Sequence, residues 1–174
     1  MITPIRLAGR RAARAIFAAA LLAWGTSASA AHTCTVGIGN LSFGSYTGVQ
    51  TTSSSTMTVI CTMTSNGSDT VDFTATLSTG AGSYTQRILT NVGSPADTLP
   101  YNLYLNTVPA ILNTSVWGDG SGGTVVANGS IKIQWIVRPT GSLTFTVAGA
   151  IPALGAMPPP GAYQDIIAAT VTYN

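Results

Sequence analysis

Few residues in this sequence could do chemistry. Past the first thirty positions it holds one histidine, His32, and two cysteines, Cys34 and Cys61. Five aspartates and three cations, Arg87, Lys132 and Arg138, complete the ionisable set apart from the tyrosines, and glutamate is absent. A catalytic nucleophile needs a base, and the base needs a group to orient it. The lone histidine, beside a cysteine expected to be oxidised, assembles no such set, so an enzyme is the weakest class. Asp119 sits in the segment WGDGSGG, where calcium would want several oxygen ligands that the segment does not supply. It reads as a turn, and no metal or cofactor is expected. The cysteines fall on apolar faces of separate strands, and in an exported chain such a pair reads as a disulfide. Closing that loop contributes about 3–4 kcal/mol on the loop-entropy account. Two free thiols or half a metal site are the alternatives, although Cys-x26-Cys has no ligand spacing.

What remains is the chemistry of the main chain. The last fifteen residues read PGAYQDIIAATVTYN, a Pro-Gly turn followed by strict alternation. Ile167, Ala169, Val171 and Tyr173 point one way, with Ala168, Thr170, Thr172 and Asn174 opposite. Period two with β-branched and aromatic residues is a strand burying one face. It runs to the final residue, so its end is expected to be docked. Two readings follow: the last strand of any sandwich, or a strand whose outer edge receives another protein by strand addition.

The class and compartment come from the rest. Arg6, Arg10, Arg11 and Arg14 precede the apolar run Ala15 to Trp24 and the small residues Ala28-Ser29-Ala30. That order is a secretory signal, too short to span a bilayer, with cleavage expected after Ala30 or Ala31. Residues 1–30 are therefore the signal and 31–174 one domain. Four of seven cations leave with the signal, so the remainder carries 3 − 5 = −2. With so few cations it offers no basic patch to nucleic acid or anionic lipid. Low charge with Ser/Thr-rich alternation and no sustained helical period makes the class all-β.

Along the chain, Cys34–Ile38 is read as a strand that Leu41 and Phe43 continue. Thr51–Ser55 is a polar connection, and Met57–Met63 the next strand. Val71–Leu77 is the clearest half-buried strand. Arg87–Thr90 is a short one, and Leu99–Leu105 another whose start Pro100 demotes to an edge. Ile131, Ile133, Trp135 and Val137 alternate, with Leu143–Val147 as a hairpin partner. Ala153–Pro160 is a rigid loop. Short strands with frequent turns in one exported domain read as an Ig-like β-sandwich.

Eight motifs occur in order: CTV at Cys34, FGSY at Phe43 to Tyr46, VICT at Val59, R-x-L at Arg87, LPYNLYLN at Leu99, VWGDG at Val116, AGAIPA at Ala148 and GAYQDIIAATVTY at Gly161. The set resembles the spore coat protein U family, which includes subunits of archaic, Csu-type chaperone–usher pili. The resemblance implies an incomplete sandwich, closed first by a periplasmic chaperone strand and then by a sibling subunit's, with an outer-membrane usher as third partner. It implies a docking strand of Gly161, Ile167, Ala169, Val171 and Tyr173, Gly161 lying fourteen places from the end. Phe43, Gly44, Tyr46, Arg87, Tyr101, Tyr104, Trp117, Gly118, Gly149, Pro152, Tyr163 and Asp165 carry its structural motifs. Location would be the periplasm, then the cell surface. Two departures stand out. Little remains between the cleavage site and Cys34 to serve as a donor strand, which points to a distal, tip position or a free-standing coat or binding module. The stretch Ile131–Val137 is also extra; it would extend a sheet, form an exposed hairpin or help close the sandwich.

Overall fold

The computed structural model describes residues 32–174; the signal segment and its cleavage site lie outside them. The described chain is all-β, with nine strands in two antiparallel sheets. The strands are β1 (His32–Ile38), β2 (Thr51–Met63), β3 (Ser68–Leu77), β4 (Arg87–Asn91), β5 (Thr98–Leu105), β6 (Ala127–Gln134), β7 (Thr140–Ile151), β8 (Tyr163–Gln164) and β9 (Ala169–Tyr173). One sheet runs β1-β2-β7-β5-β4-β8 and the other β6-β3-β9. Between them lies the core of Met57, Val59, Cys61, Val71, Phe73, Leu77, Leu103, Trp117 and Ile133. In β3 each buried residue alternates with a less buried polar one, so the period-two pattern did set the inward face.

Four expectations change. Thr51–Ser55 is not a connection but the first part of β2, paired in register with Val147–Ile151 of β7. Serine and threonine suit a strand there because their hydroxyl faces stay solvated while the ladder satisfies the backbone. Leu41 and Phe43 do not prolong β1. The strand stops at Ile38, and both side chains fold inward over Gly149, where a Cβ would lie 2.8 Å from the Phe43 ring. β6 ends at Gln134, so Trp135 and Val137 lie beyond it in a hairpin tip closed by Gln134 and Arg138. β7 forms no ladder with β6, the Gln134–Arg138 bridge lying before it in the hairpin, and it pairs along its length with β2 and β5. Pro100 does sit at an edge: residues 98–101 pair with β4 alone, and β7 joins β5 only from Asn102.

Cys34 and Cys61 face each other in the β1–β2 ladder and are disulfide-bonded. The bond fastens β1, an edge strand, to the interior β2.

Candidate functional site

The two sheets do not close on each other. β1 is the edge of the larger sheet, and β9 is the edge of the smaller, paired only with β3. At one end these edges meet. His32 Nδ1 lies 2.8 Å from Asp69 Oδ2, and its Nε2 lies 2.8 Å from the Asn174 main-chain oxygen. Tyr173 packs on the same imidazole, with ring centroids 5.6 Å apart. Away from this pin the edges diverge into a groove of about 760 Å³. One wall is the chain from Ile38 to Tyr46, the other the chain from Met157 to Ile167, and the floor includes Leu99, Leu103 and Val147.

Of the residues expected to dock a partner, Gly161 and Ile167 line this groove, and Ala169, Val171 and Tyr173 follow directly after its wall. Ile167, Ala169 and Val171 are each only partly buried, while Tyr173 is 36% exposed. On β3, the neighbouring strand, the inward residues are fully covered. Exposure alternates as read, but the strand is shorter than expected, β9 running only from Ala169 to Tyr173 with Ile167 before it and Asn174 after, and its inward face is only half covered. Gly161 stands at the mouth for a steric reason: a Cβ there would lie 2.4 Å from the buried Asn91 amide.

The motif residues gather into three knots. In the first, Arg87 is fully buried, and its fork donates to Ser78 O through Nε at 3.0 Å and Nη2 at 2.7 Å. Nη2 also donates to Trp117 O at 2.8 Å, and Nη1 to Asn102 Oδ1 at 3.2 Å. Burial lowers its pKa from the ordinary arginine value, yet guanidinium stays charged in proteins. Asn102 passes the network on, donating to Tyr84 O, Thr85 O and Asn113 Oδ1. Trp117 Nε1 donates to Ala75 O at 3.0 Å, so the indole joins one sheet to the other. Gly118 extends that tie, accepting from Leu77 N. Tyr104, on the outer face, packs with Val116 and Ala150, and its hydroxyl accepts from Asn113 N.

The second knot holds the first groove wall. Tyr46 donates to Pro152 O at 2.7 Å while Phe43 rests on Gly149 and meets Tyr101 edge-on. Gly44, with φ +69°, makes the turn between them. The third holds the opposite wall. Asp165 accepts from Tyr101 Oη at 2.7 Å, Ala81 N at 3.0 Å and Ile166 N at 2.8 Å. Tyr163 donates to Pro159 O. Burial first, then the Asp165 carboxylate, push the Tyr101 pKa well above the usual tyrosine range. A raised folded pKa means stability that is complete below the unfolded value, about 10, and lost as pH rises beyond it. Tyr101→Phe is expected to shallow the alkaline limb of the stability curve, read by thermal melting between neutral pH and about 11.

Asn102, Asn91 and the His32–Asp69 pair escaped the sequence reading. Their partners are 37 residues distant in the last case, so no local pattern marks them. Among the described residues no group of three or more His, Cys or Asp side chains is placed to hold a metal ion.

These features define an all-β sandwich of two sheets that are pinned at one end and apart along a groove at the other. The chain belongs to the Spore Coat Protein U domain family, which it matches over residues 20–170. No curated protein sequence matches it. Seven chains of solved structures do. One comes from a structure described as a chaperone–tip adhesin complex vital for synergistic activation of CFA/I fimbriae biogenesis, at 13% identity and TM-score 0.38, covering 78% of this chain. This chain spans 37% of that one.

Proposed function

We propose that this chain is a structural or adhesive subunit of a chaperone–usher-type surface pilus, completed by a strand from another protein. The observation that carries this reading is the free edge of β9, its inward face half covered, which continues from the segment Met157 to Ile167 that walls the groove. An added strand would satisfy that edge by main-chain hydrogen bonds and place alternate side chains in the groove. Family membership supports the class, and the role is then structural rather than enzymatic. The partners would be a periplasmic chaperone, an usher and sibling subunits, met after export through the signal segment.

The distal position in a fibre is part of the proposal. β1 already takes the chain from His32 onward into its own sheet, so cleavage after Ala30 or Ala31 would leave nothing to donate. N-terminal sequencing of the exported chain checks that cleavage. One observation favours a free-standing coat or binding module instead: Leu41 and Phe43 already cover part of the groove from within. Thermal melting of the exported domain, alone and co-expressed with a candidate chaperone, separates the two. The pilus reading expects an unstable chain that recovers as a one-to-one complex. A cooperative, stable monomer that ignores the chaperone would leave the module.

A further inference from the structure

From the surface opposite the groove's open end we infer that the hairpin tip Trp135-Ile136-Val137 docks on an anionic lipid bilayer. Ile136 is 87% exposed, Val137 77% and Trp135 41%. Turns favour Gly, Asn, Asp and Pro, and none of these three residues has a positive φ, so turn formation does not explain three apolar residues here. The tip is also held. Gln134 and Arg138 exchange main-chain hydrogen bonds of 2.7 and 2.8 Å, and Trp135 N donates to Gly67 O at 3.0 Å.

The charges around it identify the occupant. Of the three cations among the described residues Arg87 is buried in the core, so Lys132 and Arg138, both exposed, are the surface cations. Both lie within three residues of the tip. The nearby carboxylate of Asp69 is engaged by His32. Asp72 lies back along β3, in register with Ser130, while Asp97, Asp119 and Asp165 belong to the β4–β5 connection, the Trp117 turn and the groove wall. Tryptophan favours the headgroup boundary, aliphatic side chains gain by entering the acyl layer, and lysine and arginine are drawn to anionic headgroups. A net-negative chain that places its surface cations beside a run of three consecutive exposed apolar residues is complementary to that interface. The expectation that the chain has no patch for anionic lipid is thus revised locally. The inference stands on the surface alone and does not depend on the pilus reading.

The test uses the exported chain, kept with its chaperone if isolated that way. It is mixed with vesicles of equal phosphatidylglycerol and phosphatidylcholine, with and without brominated acyl chains. Trp117 is fully buried, so bromine quenching reports Trp135. Quenching is expected, and binding should fall roughly tenfold in Ile136→Ser/Val137→Ser. Lys132→Gln/Arg138→Gln should weaken binding to the anionic vesicles and leave pure phosphatidylcholine unaffected. Absence of quenching, or unchanged binding of the Ile136→Ser/Val137→Ser variant, overturns the inference. So does tip-dependent self-association in lipid-free sedimentation, which would assign the surface to a second copy.

Discussion

Arg87→Ala lowers the stability of the folded domain by roughly 4–6 kcal/mol, the largest effect expected of any single substitution here. The guanidinium is fully buried and its partners are all carbonyl oxygens: Ser78 O, Trp117 O and Asn102 Oδ1. Removing it strands two buried acceptors and the part-buried Ser78 O, a buried acceptor costing about 1–3 kcal/mol, and opens a cavity. Against a total of about 5–15 kcal/mol, few chains would fold. Arg87→Lys keeps the charge and loses the planar fork, so it should recover less than half of the loss. Urea unfolding and the yield of exported protein are the measurements. A cost below about 1 kcal/mol for Arg87→Ala would show that the network contributes far less than its geometry implies. A double-mutant cycle with Asn102→Ala isolates the shared part, expected to couple because the two side chains touch.

Arg87 also shows which parts of this fold the sequence disclosed. Its position in an R-x-L motif marks it, but its carbonyl partners at Ser78 and Trp117 are 9 and 30 residues away. Nothing local distinguishes a buried arginine from a solvated edge charge. Strands with one inward face, β3 above all and β9 in its half-covered form, were readable because alternation is itself the physical cause of their burial. The disulfide was readable for the same reason, two inward positions on separate strands. Thr51–Ser55 was misread because Ser/Thr composition fits a loop or a solvated strand equally. The deciding fact is the partner segment Val147–Ile151, almost a hundred residues on. For Ile131–Val137 the alternation left three readings open, and the structure divides the stretch between two of them: β6 extends a sheet to Gln134, and Trp135–Val137 form an exposed hairpin tip that Gln134 and Arg138 close. β8, with two residues, is too short for any period. The groove itself belongs to this second kind: it is a relation between the chain from Ile38 to Tyr46, the chain from Met157 to Ile167 and the β5 and β7 floor, which no single stretch encodes.

Ile167→Asp/Val171→Asp is expected to abolish capture of a completing strand, weakening it at least about a thousandfold. Both side chains pack on the core from the inward face of the terminal segment and are only partly covered, and Ile167 also lines the groove. A docked strand would bury them further, at about 2 kcal/mol of apolar transfer each, and two such losses make three orders of magnitude. The carboxylates would add a desolvation cost in the closed groove. The matched control is Thr170→Asp/Thr172→Asp, on the same strand with side chains on the exposed face. It places the same two charges on the opposite face of the terminal segment, and should leave capture within a few-fold. Pull-down of the chaperone with each variant reads the difference. Equal loss in both pairs would mean that charge near β9, rather than the groove, governs binding. Equal retention would mean that Leu41 and Phe43 already close the sandwich and that no strand is accepted. The alternation of β9 then turns from a folding signal into a recognition signal. On the expected result the outward residues are dispensable, and the inward ones form a surface that a captured strand would bury.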